Sequence, residues 1–211
     1  MSLRTKKHCV VLNIEQLEDR AVPAVIWADG TWTGLADGTI VDADPGPNYV
    51  PATIGVNAFA TIQGAVDHAD AAGTVLVNPG TYAETVTISK NLTLDGASGV
   101  ASDVVIDPVG GDGITITSDG VTIRDLRVTG AVNGIAATGV SGPTLLNTQS
   151  DHNTGHGFQG ANLAGTLLIA NSTFTDNVAQ GINLSNVGDV STQNLTVLRN
   201  HTGVLIGLAG S

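Results

Sequence analysis

Residues 167–184 read LLIANSTFTDNVAQGINL, and residues 121–137 read VTIRDLRVTGAVNGIAA. Each string holds an apolar/polar alternation, one Asp or Asn, a second alternation, and then Gly followed by an aliphatic residue. Period-two alternation over so few residues describes short strands with one buried face. An Asp or Asn between two such strands supplies a corner, because these side chains tolerate left-handed backbone. The Gly-apolar pair recurs at Gly113-Ile114, Gly134-Ile135, Gly157-Phe158, Gly181-Ile182 and Gly203-Val204, spaced by 21, 23, 24 and 22 residues. Repeats of this length mark a solenoid.

Three alternating runs occupy each repeat. The first points Ile114, Ile135, Phe158, Ile182 and Val204 inward, the second Ile123, Leu145, Ile169 and Thr192, and the third Val128, Ser150, Phe174 and Val197. Three strands per turn, each paired with its counterpart one repeat later at about 4.8 Å, make three parallel sheets around one elongated core. Asp125, Asn147, Asn171 and Asn194 form one corner column of that solenoid. Asn153, Asn177 and Asn200 form a second, where stacked amides would bond coil to coil. The expected fold is all-β, a parallel β-helix of about six coils of 21–24 residues with three short strands each.

One helix is expected, over TIQGAVDHADAAG at 61–73. Ile62, Ala65, Val66 and Ala69 follow the spacing of one buried face, Thr61 is the N-cap and Gly73 stands at the C′ position. This amphipathic helix would cap the N-terminal end of the coils, leaving His68 exposed on its polar side. The segment FATIQGAVDHADAAGTVLVNPGTYAETVTISKNLTLDGA resembles the cap helix and opening coil of right-handed parallel β-helix proteins of the pectin-lyase-like superfamily, and IANSTFTDNVAQGINL resembles their coil repeat. The resemblance covers residues 58–206 and implies the right hand of the helix; that fold hosts lyases, hydrolases, esterases, epimerases, adhesins and inert stalks, so it does not choose a function.

The chain divides into a leader at 1–24, an irregular segment at 25–57 and the β-helix at 58–211, which reads as incomplete at its C-terminal end. Its 27 glycines and 3% aromatics suit short strands and tight turns, and 42% apolar against 13% charged residues excludes a disordered chain. A net charge of −11 disfavours nucleic acid and anionic membrane as partners. The single cysteine, Cys9, can close no internal disulfide, and no stretch approaches the length of a membrane span. Within the leader, IEQLEDRAVPA resembles the Leu-Glu-Asp-Arg leader motif of large exported proteins of one bacterial phylum. That resemblance implies an extracellular or cell-surface location.

Candidate chemistry is sparse. The outward positions of the runs include Gln159, Asn183 and Arg127, which are the candidate substrate contacts, and this count finds one cation and no carboxylate on the sheets. Glycoside hydrolysis ordinarily uses two carboxyls flanking the bond. After the third run, His152, Asp176 and Arg199 occupy one position on consecutive coils. There an imidazole could act as base, a carboxylate could orient it and a guanidinium could hold a uronate; as structure, they are exposed turn residues with an Asp176–Arg199 ion pair. His156 lies in TGHGF, similar to the Gly-His-Gly of polygalacturonases, but the other motifs of those enzymes are missing. GTYAE at 80–84 is similar to one motif of pectin methylesterases, without its catalytic partners, so Tyr82 and Glu84 are read as structural. No cofactor is expected. Ca²⁺ is the one ion that the acidic turns at Asp103, Asp107, Asp112 and Asp119 would accept, and solvated loops are the simpler reading.

The expected function is a non-catalytic exported surface or extracellular module, structural or contacting polysaccharide. One alternative is a lyase or hydrolase of an acidic (uronate) polysaccharide working through His152, Asp176 and Arg199. Another is a fragment of a larger repeat surface protein. The open C-terminal coil is expected either to continue or to self-associate, because an uncovered parallel edge pairs readily.

Overall fold

A computed structural model describes residues 25–44 and 46–207. The leader and the last four residues, with the readings placed on them, lie outside the described residues. The chain winds as a parallel solenoid of six coils, and three ladders of strands run along it. The first ladder stacks Val86–Ile88, Ile114–Ile116, Ile135–Thr138, the opening halves of Phe158–Ala170 and Gln180–Gln193, and Thr202–Gly207. The second stacks Val25–Ala28, Gly73–Val77, Leu92–Gly96, Thr122–Arg124, Thr144–Leu146 and the closing halves of the same two long strands. The third runs from Gly80–Tyr82 through Val104–Ile106, Arg127–Thr129, Gln149–Asp151 and Thr173–Thr175 to Thr196–Leu198.

Register follows the sequence repeat. Ile114 pairs with Ile135, Ile135 with Phe158, Phe158 with Ile182 and Ile182 with Val204. The first four of these are buried in one continuous core with Ile123, Leu145, Ile169, Val128 and Phe174. Each fully buried aliphatic or Phe side chain contributes about 1.5–3 kcal/mol. The repeated Gly has a packing cause: a Cβ on Gly113, Gly134 or Gly157 would lie 2.7, 2.7 or 2.6 Å from the carbonyl oxygen of the corresponding glycine one coil on. Only a residue without a side chain lets the backbones come that close.

The corners differ in how they are built. Between the second and third ladders the step is twelve residues from Leu94 to Ile106 and then five in each of the next three coils, from Ile123 to Val128, Leu145 to Ser150 and Ile169 to Phe174. Between the first and second it grows over four coils, from Ile88 to Leu94, Ile116 to Ile123, Ala137 to Leu145 and Gly160 to Ile169, that is 6, 7, 8 and 9 residues, and returns to 8 from Leu184 to Thr192. Leu163 fills the added width and is buried. There the strand Phe158–Ala170 rounds the corner unbroken, and Asn186 Nδ2 donates to Asn162 Oδ1 at 2.7 Å.

The N-terminal end of the core is covered by the helix Ile62–His68, which buries Ile62, Ala65 and Val66. Thr61 caps it by accepting the Gly64 N–H at 3.0 Å. Gly73 is not its C′ residue. The helix stops at His68, Ala69 is already extended, Ala72 takes the left-handed conformation (φ 61°) and Gly73 opens a strand. The two ends of the helix are instead held by the first coil. The Glu84 carboxylate accepts the Ile62 and Gln63 N–H groups at 2.8 and 2.9 Å, and Lys90 Nζ donates to the Asp67 and Ala69 carbonyls at 2.7 and 2.8 Å. These are the opposite charges that a helix dipole favours at its two ends. Glu84→Ala is expected to lower stability by about 1.5–3 kcal/mol, since charge-assisted hydrogen bonds to two otherwise unpaired donors are lost. A urea titration of the variant checks it, and Glu84→Gln should recover part of the loss.

Residues 25–57 add to this end. Val25–Ala28 joins the second ladder beside Gly73–Val77, while Ile40–Asp42 and Pro51–Thr53 pair antiparallel over a small second core of Trp32, Ala43, Ala52, Ile54 and Ala58. Burial pushes the Tyr82 phenol well up; its hydroxyl donates to the Asn78 carbonyl at 2.8 Å, and Asn78 Nδ2 donates to the Ala43 carbonyl at 2.9 Å, which ties the first coil to this segment.

Candidate functional site

All four members of the first corner column are left-handed: Asp125, Asn147, Asn171 and Asn194 have φ of 57, 46, 52 and 48°. Asn147 Nδ2 donates to Asp125 Oδ1 at 2.6 Å and Asn194 Nδ2 to Asn171 Oδ1 at 3.1 Å. The residues directly after the third ladder, His152, Asp176 and Arg199, are left-handed as well, at 53, 58 and 53°. Their side chains turn outward, and the next residues, Asn153, Asn177 and Asn200, turn in. Asn153 Nδ2 donates to Asn177 Oδ1 at 2.8 Å, and Asn177 Nδ2 to Asn200 Oδ1 at 2.9 Å. The same oxygens also accept the backbone N–H of Asn153 (3.1 Å) and Asn177 (2.9 Å), so each amide serves as a rung between coils.

The outward column separates into two units. Arg199 grips Asp176 with two hydrogen bonds, 2.6 and 2.7 Å, on the exposed surface. That pairing holds the Asp176 carboxyl below the usual carboxylate range, helped by Thr175 and by the nearby His152. His152 turns instead to its own neighbour, with Nδ1 2.7 Å from Asp151 Oδ1. Asp151 also receives Arg127 through Nη2 at 2.6 Å and Nε at 2.7 Å, and Thr129 Oγ1 at 3.1 Å. Burial alone would raise this carboxyl; the hydrogen bonds from Arg127, His152 and Thr129 outweigh it and hold the group low.

Asp151 corrects the sequence count of no carboxylate on the sheets. It ends the strand Gln149–Asp151, pairs with Thr129 on one side and Thr175 on the other, and so continues the outward positions begun by Arg127 and Gln149. The count stopped one residue short because the inward alternation ends at Ser150. A second carboxylate, Asp95, lies on the second ladder opposite Arg124.

Arg127 therefore does not join Gln159 and Asn183. The latter two are adjacent rungs of the first ladder, half-buried and facing outward, whereas Arg127 belongs to the third ladder and is bound to Asp151. Beside Asn183 stands His156. Its Nδ1 accepts the Gln180 N–H at 3.3 Å and its Nε2 lies 3.2 Å from the Asn183 amide. With Nδ1 an acceptor, the neutral ring carries its proton on Nε2, and the Asn183 amide must face it with oxygen. His156 continues a pattern in which Asp112 Oδ1 accepts the Asn133 N–H (3.0 Å) and Asn133 Oδ1 accepts the His156 N–H (3.1 Å). Burial lowers the His156 pKa, as a ring held in an accepting role requires.

The pair Asp95 and Asp125 shares one guanidinium. Arg124 Nε lies 2.7 Å from Asp125 Oδ2 and 3.4 Å from Asp95 Oδ1. Asp125, with Asn147 and Arg124 bonded to it, stays low against burial. Asp95 is pushed up to about 6 by burial, partly opposed by Arg124 and reinforced by Asp125. A carboxyl whose folded value exceeds its unfolded 3.8 stabilises the fold while protonated, so this contribution is complete below the unfolded value and is lost as pH rises through about 6. Discounted for its partial exposure, the loss is about 1–2 kcal/mol. Asp95→Asn should remove this pH dependence, read as the difference in denaturation midpoint between about pH 4.5 and 7.5.

Among the described residues no three His, Cys, Asp or Glu side chains converge as metal ligands. Of the acidic turns, Asp112 is bonded to Asn133, and Asp119 Oδ1 accepts the Ser141 N–H at 2.8 Å. No helix of the described residues is long and apolar enough to cross a membrane. Residues 72–211 match the family described as "Right handed beta helix region". No curated protein matches the chain.

Proposed function

This chain belongs to the right-handed β-helix family, and from that premise we propose that it is a non-catalytic module, exported to the cell surface or the extracellular space, whose rigid side contacts polysaccharide. What supports this reading is that both candidate cations, Arg199 of the outward column and Arg127 of the third ladder, are already spent. Arg199 is bound bidentately by Asp176 and Arg127 by Asp151, so neither is free to clamp a uronate without breaking two charge-assisted bonds. The polar outward residues Gln159 and Asn183 on adjacent coils offer amides to sugar hydroxyls. Export rests on the leader motif, and the likeness to pectin-lyase-like proteins supplies the polysaccharide class.

One observation favours a second reading. Asp151 fixes His152 through Nδ1 and leaves Nε2 facing solvent, the arrangement of an oriented base, and a lyase or hydrolase of uronate chains could be built on it. Incubating the protein with a panel of uronate polysaccharides, with and without Ca²⁺, separates the two. Binding without new unsaturated or reducing ends is expected. New ends that vanish in His152→Ala would overturn the non-catalytic reading.

A further inference from the structure

One column of hydrogen-bond acceptors beside the first ladder contains a group that titrates near neutrality. Asp112 Oδ1 accepts the Asn133 N–H at 3.0 Å, Asn133 Oδ1 accepts the His156 N–H at 3.1 Å, and His156 Nδ1 accepts the Gln180 N–H at 3.3 Å. A carboxyl or amide oxygen still accepts in mild acid, whereas an imidazole Nδ1 becomes a donor once protonated. At His156 that sets two N–H groups face to face, so the charged ring must turn away from Gln180. The other side of the ring is engaged as well, with Nε2 3.2 Å from the Asn183 amide. While the ring is neutral its Nε2–H takes the Asn183 oxygen, which leaves the amide hydrogens of Asn183 for a ligand. Gln159, the register partner of Asn183 one coil earlier, presents a second amide beside it.

We propose that His156 is a positioning residue of this face: neutral, it holds Asn183 as a fixed donor toward an oxygen of an uncharged polysaccharide, and protonated, it releases Asn183 and the contact made through it. The identity of the ligand rests on the polysaccharide reading above, whereas the link from His156 to Asn183 does not. Burial lowers the pKa of His156, and the Asp112 carboxylate, two coils back, opposes this in part. Asn133, Gln180 and Asn183, which bond to His156, carry no charge. With the folded value below the ordinary 6.5, the link is complete above 6.5 and is lost as pH falls through the lowered value. An uncharged ligand fits because the outward positions from Thr87 through Thr115, Ala136 and Gln159 to Asn183 include no cation to meet a uronate, and the chain carries a net −11.

NMR titration of the full chain from about pH 7.5 to 4.5 tests the link. The His156 ring, the Gln180 backbone amide and the Asn183 side-chain amide should shift along one curve with a midpoint below 6.5. His156→Gln, which offers Gln180 an oxygen that does not titrate, should hold the Gln180 and Asn183 signals still. Separate titration of the three groups, or unmoved Gln180 and Asn183 signals in the parent protein, overturns the proposal. Binding is then read with cellohexaose, chitohexaose and hexagalacturonate. The parent should bind an uncharged chain about fivefold more weakly at the acid end than at the neutral end, the loss of about one hydrogen bond, and His156→Gln should bind it equally at both. A parent affinity that ignores pH, or a preference for hexagalacturonate at neutral pH, also overturns it. If the three groups titrate together and no chain binds, the link between His156 and Asn183 stands and the polysaccharide reading falls.

Discussion

Asn177→Ala is expected to destabilise the protein by about 3–5 kcal/mol, out of proportion to the few atoms removed. The amide is 3% exposed and makes four hydrogen bonds. It accepts the Asn153 N–H and Nδ2, and donates to the Ser150 carbonyl at 3.1 Å and to Asn200 Oδ1. Alanine leaves the Asn153 N–H without its side-chain acceptor and takes one bond each from Asn153 Nδ2, the Ser150 carbonyl and Asn200 Oδ1, at about 1–3 kcal/mol for a buried group left unmet and about 1 kcal/mol for each other bond lost. Asn194→Ala provides the contrast. That residue has the same chemistry and a left-handed backbone, but its amide is exposed and makes one bond. Its loss should be about 1 kcal/mol, most of it backbone preference. Equal losses at the two positions in urea denaturation would refute the internal ladder as a source of stability.

Phe158→Ala should cost a similar amount, about 3–5 kcal/mol, through the cavity it leaves. Phe158 is fully buried, stacked between Ile135 and Ile182, and its ring reaches within 3.0 Å of where a Cβ on Gly160 would stand. Phe158→Leu, which refills much of that space, should cost about half as much or less. Because each coil touches only its neighbours, the damage should stay local. Amide exchange ought to accelerate in Ile135–Thr138 and Gln180–Gln193 and stay unchanged in Val86–Ile88. Uniform acceleration along the whole chain would show that the coils unfold as one block instead.

The coil repeat was legible because inward residues and corner residues answer to different physics, and both recur. Ile114, Ile135 and Phe158 are buried one above another, and Asp125 to Asn194 share one backbone conformation that Asn and Asp enter at low cost. Arg199, in that conformation with no such preference, could be placed only by alignment with His152 and Asp176. Asp151 went unread because an outward strand position next to a corner carries no periodic mark; its partner Arg127 lies 24 residues away in sequence and meets it only once the coils are stacked. The helix start was readable from Thr61, but the carboxylate that shares the work, Glu84, arrives from the following coil. Gly73 misled because a glycine five residues past the last helical residue, His68, suits a strand start as well as a helix stop.

From Thr122 onward the two corners differ, one keeping its length from coil to coil and the other tolerating drift. At Asn171 an added codon would break the step of five residues that the two coils before it share, and with it the amide rung to Asn194. Around Asn162 and Asn186, where coils already differ in length, the same codon lengthens a single bend and leaves the stacked core in register. That bend is where the gene can acquire insertions, and where a foreign peptide could be spliced for display.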